Sequence, residues 1–240
     1  METTLTDNTL KPGRLGLYAL LLLVCLSGLL LSGRWFLAGL AQHRVQQDLL
    51  NNAWSAQNPP SAASWQTLHD DIQYSISLNP RIAESYRMLD QLFESGQPAN
   101  PNADFSDSLS ALRQAVRQQP GWPDNWTQLA WVKANNGEID AEFLQALQNG
   151  LFLGFFETRL QTQLMTMSPL AILALDDPNN ELFTLADTYI MNGLYSGGDY
   201  ARKLAILDNF GLVPAYCQKL NLSGTPAAVQ NRCNSLSNDQ

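Results

Sequence analysis

Histidine occurs only twice in these 240 residues, as His43 and His69, and cysteine three times, as Cys25, Cys217 and Cys233. Ligands so few and so far apart match no zinc-site spacing, and no metal is expected. The chain also lacks a GxSxG elbow, a glycine-rich phosphate loop and an HExxH pair. Those absences close the motif routes to a serine hydrolase, a nucleotide enzyme and a zinc protease. The nearest approach to a proton-transfer or hard-ion cluster is His69-Asp70-Asp71. On a helix that buries Leu68, Ile72 and Ile76, His69 and Asp70 fall on the solvated side. Glu84, Asp90 and Glu157 stand at no recognised catalytic spacing. The expectation is a protein that is not an enzyme, with no catalytic residue and no cofactor.

Basic charge is scarce as well. Beyond residue 41 there are 11 lysines and arginines against 20 acidic side chains, a net −9. A surface so acidic argues against nucleic acid as a partner and against lying along an anionic membrane. What the chain does have is a run without charge, LGLYALLLLVCLSGLLLSG, between Arg14 and Arg34. As a helix it spans about 28 Å at 1.5 Å per residue, close to the apolar thickness of a bilayer. We read residues 1–14 as a cytoplasmic tail, 15–33 as a transmembrane helix and 34–63 as a juxtamembrane helix with a linker. Gly39-Leu40-Ala41 leaves a cleaved signal peptide open as the alternative. Lys11 and Arg14 before the span are matched by Arg34 and Arg44 after it, and the amino terminus adds to the N-in side. An N-in, C-out single-pass protein of the bacterial inner membrane, with a periplasmic domain, is the expected topology.

Pro59 and Pro60 stop the juxtamembrane helix, and Ser64 is placed to cap the next one. From there the pattern is helical to residue 216. Apolar side chains recur at three and four spacing in Trp65, Leu68, Ile72 and Ile76, again in Ile82, Tyr86, Leu89 and Phe93, and again in Leu109, Leu112 and Val116. No stretch keeps strand alternation. Shifting the chain by 40 lays Ile72, Ile76, Pro80, Tyr86 and Leu89 on Leu112, Val116, Pro120, Trp126 and Leu129. Helix-turn-helix units of that length are a solenoid signature, because one pair cannot bury its apolar face alone. A third, weaker unit follows through Phe143, Leu147, Leu160 and Leu164, before Pro169 and Pro178 break the pattern. The fold class expected is all-α: a transmembrane helix followed by a tetratricopeptide-like helix-turn-helix repeat domain, an α-solenoid, over 64–216.

Two short polar runs read as punctuation. DDPNNE, Asp176 to Glu181, lacks the alternate spacing of a calcium loop and suits a turn with a helix cap. SGGDY, Ser196 to Tyr200, ends one helix at Gly197-Gly198 and starts the next at Asp199. Residues 217–240 form a tail. There Cys217 and Cys233 are either a disulfide, in an oxidising compartment, or two unrelated thiols.

The order LRQAVRQQPGWPDNW, LAWVKANNGEID, EFLQAL, LGFFE and ARKLAILDNFGLVPAYC, from about Leu109 to Cys217, resembles the VpsP-like family of bacterial polysaccharide biosynthesis proteins. The matching positions are Pro120, Gly121, Trp122, Trp126, Leu129, Phe143, Ala146, Leu147, Gly154, Glu157, Gln161 and Cys217. The resemblance implies a single-pass inner-membrane protein with helical repeats that works beside exopolysaccharide assembly or export proteins.

Three of the six tryptophans fall in GWPDNWTQLAW. If Pro123 opens a helix, Trp126, Leu129, Ala130 and Lys133 share its inward stripe, which makes Trp126 a core residue. Trp122 and Trp131 remain open between packing and a surface for a partner or a saccharide. The expected function is a noncatalytic scaffold that binds partner proteins through the face of its first helices. Candidate contacts are Arg87, Gln91, Gln128 and Lys133, with Trp122 and Trp131 beside them. The alternative is a polysaccharide-binding module that uses Trp122, Trp131, Phe155 and Phe156.

Overall fold

The computed structural model describes residues 12–52, 60–96, 105–157, 160–175, 177–195, 199–220 and 224–238. Among these the chain is all-helical, with eleven α-helices and no strand. They are α1 (Pro12–Asn52), α2 (Ala62–Leu78), α3 (Ala83–Gly96), α4 (Phe105–Gln118), α5 (Pro123–Asn135) and α6 (Ala141–Gly154), then α7 (Gln161–Leu175), α8 (Glu181–Tyr195), α9 (Tyr200–Asn209), α10 (Val213–Lys219) and α11 (Ala227–Asn238).

The uncharged run lies in α1, whose 41 residues would measure about 62 Å. This helix is long and apolar enough to cross a membrane. From Gly16 to Leu37 its side chains are exposed, but Ala38, Ala41 and Val45 are buried against α2 and α3. Residues 38–49, expected as part of a juxtamembrane helix, are therefore a core element and not a spacer. Three polar contacts fix its register. Arg34 Nη2 donates to Ser77 O at 3.4 Å, Ser75 Oγ to Ala38 O at 3.2 Å and Gln42 Nε2 to Ser85 Oγ at 2.7 Å. Most of the expected linker, residues 53–59, lies outside the described residues. Its far end differs from expectation: Ser61, not Ser64, caps α2, accepting from Ser64 N at 3.1 Å.

The turns 79–82 and 119–122 are built alike. Asn79 N donates to Ser75 O and Ile82 N to Asn79 O; forty residues on, Gln119 N donates to Ala115 O and Trp122 N to Gln119 O. Tyr86 Oη reaches Pro80 O at 3.1 Å, and Trp126 Nε1 reaches Pro120 O at 2.6 Å. The proline carbonyl left at the end of each helix is thus satisfied by the aromatic six residues later. That bond holds Trp126 half-buried with its ring against the core, at the core margin rather than at its centre.

Packing is strongest within successive pairs, α5 on α6, α3 on α4, α1 on α2 and α7 on α8. Two cores result. One holds Val45, Trp65, Leu68, Ile72, Leu92 and Phe93; the other runs from α4 through α11 around Leu112, Phe143, Leu147, Leu164, Met167 and Ile190. Helix α4 joins them, giving Ala111 to the first and Leu112 to the second. His69, expected in solvent, is half-buried with its ring stacked on Trp65, centroids 5.0 Å apart. Helix α7 runs through Pro169 without interruption. Asp177 Oδ1 accepts from Asn179 N and Asn180 Oδ1 from Leu182 N, a turn and cap ahead of α8. Asp176 and Gly197-Gly198 lie outside the described residues.

The α5–α6 pair approaches closely because Gly150 has no side chain. A Cβ there would sit 2.9 Å from Thr127 Oγ1 and 3.4 Å from Thr127 N. Gly150→Val is expected to destabilise the protein by about 2 kcal/mol through overpacking. At Gly193 the nearest atom is the flexible Met165 Sδ at 3.4 Å. Gly193→Ala should therefore be neutral or stabilising by up to about 1 kcal/mol from helix propensity. Urea unfolding of the two variants checks the contrast; equal effects would show that the close approach does not hold the pair.

Candidate functional site

The first helices of three successive pairs, α3, α5 and α7, meet around a polar cleft of about 220 Å³. Arg87, Asp90 and Gln91 line it from α3, Asp124 and Gln128 from α5, and Gln163 from α7. The structure therefore brings together three of the residues singled out from sequence, Arg87, Gln91 and Gln128. Gln163 Nε2 donates to Gln128 Oε1 at 3.2 Å and ties α7 to α5 across the cleft. Arg87 donates through Nε and Nη2 to Glu84, at 3.1 and 2.6 Å. Burial lowers the guanidinium pKa, but the hydrogen bonds and charge of Glu84, with Asp124 and Asp90 nearby, outweigh it and hold the pKa above its ordinary value. Asp90 is fully buried and accepts a short hydrogen bond from Ser108 Oγ of α4. A guanidinium, carboxylates and amides at one place suit the polar groups of a peptide. The volume is below the roughly 300 Å³ at which small-molecule pockets begin.

Lys133 is not at this cleft. Its side chain is 1% exposed, with Nζ 2.8 Å from Glu138, 3.0 Å from Asp140 and 3.1 Å from Glu142. Glu142 also takes both donors of Arg113, at 2.8 and 2.7 Å. Burial depresses the ammonium pKa, but the three carboxylate hydrogen bonds more than reverse it, so the pKa lies above the usual lysine range. Lys133 is a structural cation that locks the α5–α6 turn, and this corrects its assignment as a partner contact.

The tryptophans separate. Trp131 is partly buried against the larger core, whereas Trp122, at the N-cap of α5, is 51% exposed. Of the two aromatics in LGFFE, Phe155 is half-buried and Phe156 is 90% exposed. The four candidate saccharide contacts therefore do not form one exposed platform.

Sequence reasoning missed a larger, mostly apolar cavity of about 460 Å³ between the α6–α7 connection, α8 and α9. Phe155, Phe156, Met165, Tyr189 and Tyr195 wall it, and Lys203 stands at its polar side. The phenol of Tyr189 is buried without a hydrogen-bond partner, and burial holds its pKa above the ordinary range. Lys203 Nζ donates to Gly193 O at 2.8 Å; burial lowers its pKa, against the opposing charge of Asp199. The one signal in the sequence was the adjacent pair Phe155-Phe156, too short to show a cavity. Among the described residues no group of three or more His, Cys, Asp or Glu is placed to hold a metal ion.

No family model, curated protein or solved structure matches this chain.

At the C-terminal end, Cys217 of α10 and Cys233 of α11 form a disulfide, their Cα atoms 5.4 Å apart. Cys25, in the exposed apolar part of α1, is free.

Proposed function

We propose that the protein is a noncatalytic scaffold of bacterial exopolysaccharide biosynthesis or export. It is anchored in the inner membrane by α1, with a tetratricopeptide-like stack in the periplasm that recruits partner proteins. The carrying observation is the cleft where α3, α5 and α7 converge, with Arg87, Gln91 and Gln128 presented together. Each of those helices opens one pair of the stack, which is how helical repeats build a continuous peptide-binding face. The Cys217–Cys233 bond supports the periplasmic orientation, because such bonds persist in oxidising compartments. The polysaccharide pathway is supported by the resemblance to the VpsP-like family.

Deleting the gene should abolish polymer export or assembly while membranes keep their sugar-transfer activity. Arg87→Glu, which replaces the cleft's cation with a third acid beside Asp90 and Asp124, should reproduce the export defect with the protein present at normal level. Loss of a glycosyltransferase activity in the deletion membranes would overturn the scaffold reading.

A further inference from the structure

The register of α1 fixes which end of the stack faces the span. Arg34 meets Ser77 and Ala38 meets Ser75, so the 79–82 turn stands level with the point where the exposed apolar part of α1 ends. The chain then leaves along α3 and returns along α4, which brings the 119–122 turn back to the same end. Gly154 lies against Pro123, and Gly150 against Thr127, so α6 also returns there. Turns 79–82 and 119–122 and residues 155–157 after α6 thus share one edge, level with Trp35 and Phe36 of α1.

That edge carries most of the apolar exposure. Among the described residues beyond α1, seven large hydrophobic side chains are exposed, and five of them, Trp122, Phe152, Leu153, Phe156 and Tyr195, lie at this end. Charge at this end is mixed. The turns 79–82 and 119–122 contain no acidic residue and include Arg81, while Glu84, Asp124, Glu157 and Asp199 stand beside them with Arg117. At the far end stand Asp107, Glu138, Asp140, Asp177 and Glu181. Exposed aromatic residues gathered at the boundary of an apolar span are the pattern of a surface seated at a membrane interface.

We infer that this turn edge lies on the bilayer, with Trp122, Phe152 and Phe156 among the lipid headgroups and upper chains, continuing the contact that α1 makes. The inference rests on the reading that α1 spans the membrane. It reconciles an acidic domain with a lipid surface, because contact is confined to an aromatic edge where Arg81 and Arg117 accompany the acids. It also gives Trp122 a role that needs neither sugar nor protein.

The full chain, reconstituted in vesicles of phosphatidylethanolamine and phosphatidylglycerol, carries an environment-sensitive fluorophore on one thiol. The positions are native Cys25 and, in a Cys25→Ser background, Trp122→Cys, Phe152→Cys, Phe156→Cys and, at the far end, Asn136→Cys. Without reductant the Cys217–Cys233 bond stays closed. Probes at 122, 152 and 156 are expected to be quenched by lipids with brominated chains and to be several-fold less accessible to iodide than the probe at 136. Near-edge probes as open to iodide as the one at 136, with the Cys25 probe shielded, would overturn this inference and leave the anchor standing. Shielding that appears only after exopolysaccharide or a partner protein is added would also overturn it. A Cys25 probe open to iodide would overturn the anchor itself.

Discussion

Replacing Lys133 with methionine is expected to lower the unfolding free energy by about 3 kcal/mol, the lower end of the range for removing one partner of a buried ion pair. Methionine keeps the apolar stem and most of the volume, so the loss isolates the charge. In the native protein the ammonium lies within 3.1 Å of three carboxylates, and Arg113 also serves one of them. Without it, Glu138, Asp140 and Glu142 face one another with a single cation. Their side chains are 36% to 55% exposed and regain some water, which keeps the cost from the top of the range.

The cluster also sets an acid dependence. Hydrogen bonds from Arg113, and then from Lys133, outweigh burial and pull Glu142 from 4.5 to about 2. Glu138 is lowered chiefly by the Lys133 hydrogen bond and then by Asn136. Asp140 is lowered by the Phe143 amide, against burial, with Lys133 adding to the effect. Carboxylates with depressed folded-state pKa values contribute stability that is complete above their unfolded pKa and disappears as pH falls through the folded one. Lys133, raised, contributes fully below its unfolded pKa and loses that only as pH rises through the folded value. Stability from the cluster should therefore be level across neutral pH and fall between 4.5 and about 2. Urea unfolding followed by circular dichroism should show the gap between wild type and Lys133→Met narrowing over that interval. A gap that stays constant down to pH 2 would mean that the carboxylates do not depend on Lys133.

Opening the Cys217–Cys233 bond is expected to cost about 3 kcal/mol, from a 16-residue separation and the chain entropy that closing it removes. The cost falls on the C-terminal helices, because α10 and α11 are short and add only a few buried side chains, among them Tyr216, Val229 and Cys233. Tyr216 Oη and Lys219 Nζ reach Asp187 at 2.7 and 2.8 Å, and these contacts hold α10 to α8. The double variant Cys217→Ser/Cys233→Ser should show faster amide exchange in α10 and α11 and a lower midpoint of thermal unfolding. Reductant should move wild type to the same midpoint and leave the variant unchanged. Identical midpoints for oxidised and reduced wild type would remove the bond from the stabilising contacts.

Much of the helical order was legible because it depends on local periodicity. The 40-residue offset placed Pro80 with Pro120 and Tyr86 with Trp126, and the structure gives the two turns the same hydrogen bonds. The inward stripe of α5 was legible too, since Leu129, Ala130 and Lys133 are all buried. What the stripe could not show was the partner set of Lys133, which depends on how the 136–140 turn folds Glu138, Asp140 and Glu142 back over it. The small residues Ala38, Ala41 and Val45 sit at helical spacing, but their proximity to the apolar span masked their role as a packing stripe against α2. Of the site, Arg87, Gln91 and Gln128 were singled out from sequence as partner contacts, whereas Asp90, Asp124 and Gln163, which share their cleft, were not, because α3, α5 and α7 meet only through tertiary packing. The apolar cavity was not legible either, because its walls come from α6 to α9 and are brought together in the same way.

The buried stripe from Ala38 to Val45 makes α1 a fixed arm of the helical domain rather than a tether. Electron spin distance measurement between labels on Cys25 and on Ser110→Cys of α4, in the reconstituted full chain, tests it most directly. A clamp made by Ala38, Ala41, Val45 and the Ser75 and Gln42 contacts predicts a single narrow distance distribution. A broad distribution, as from a domain swinging on a tether, would contradict it.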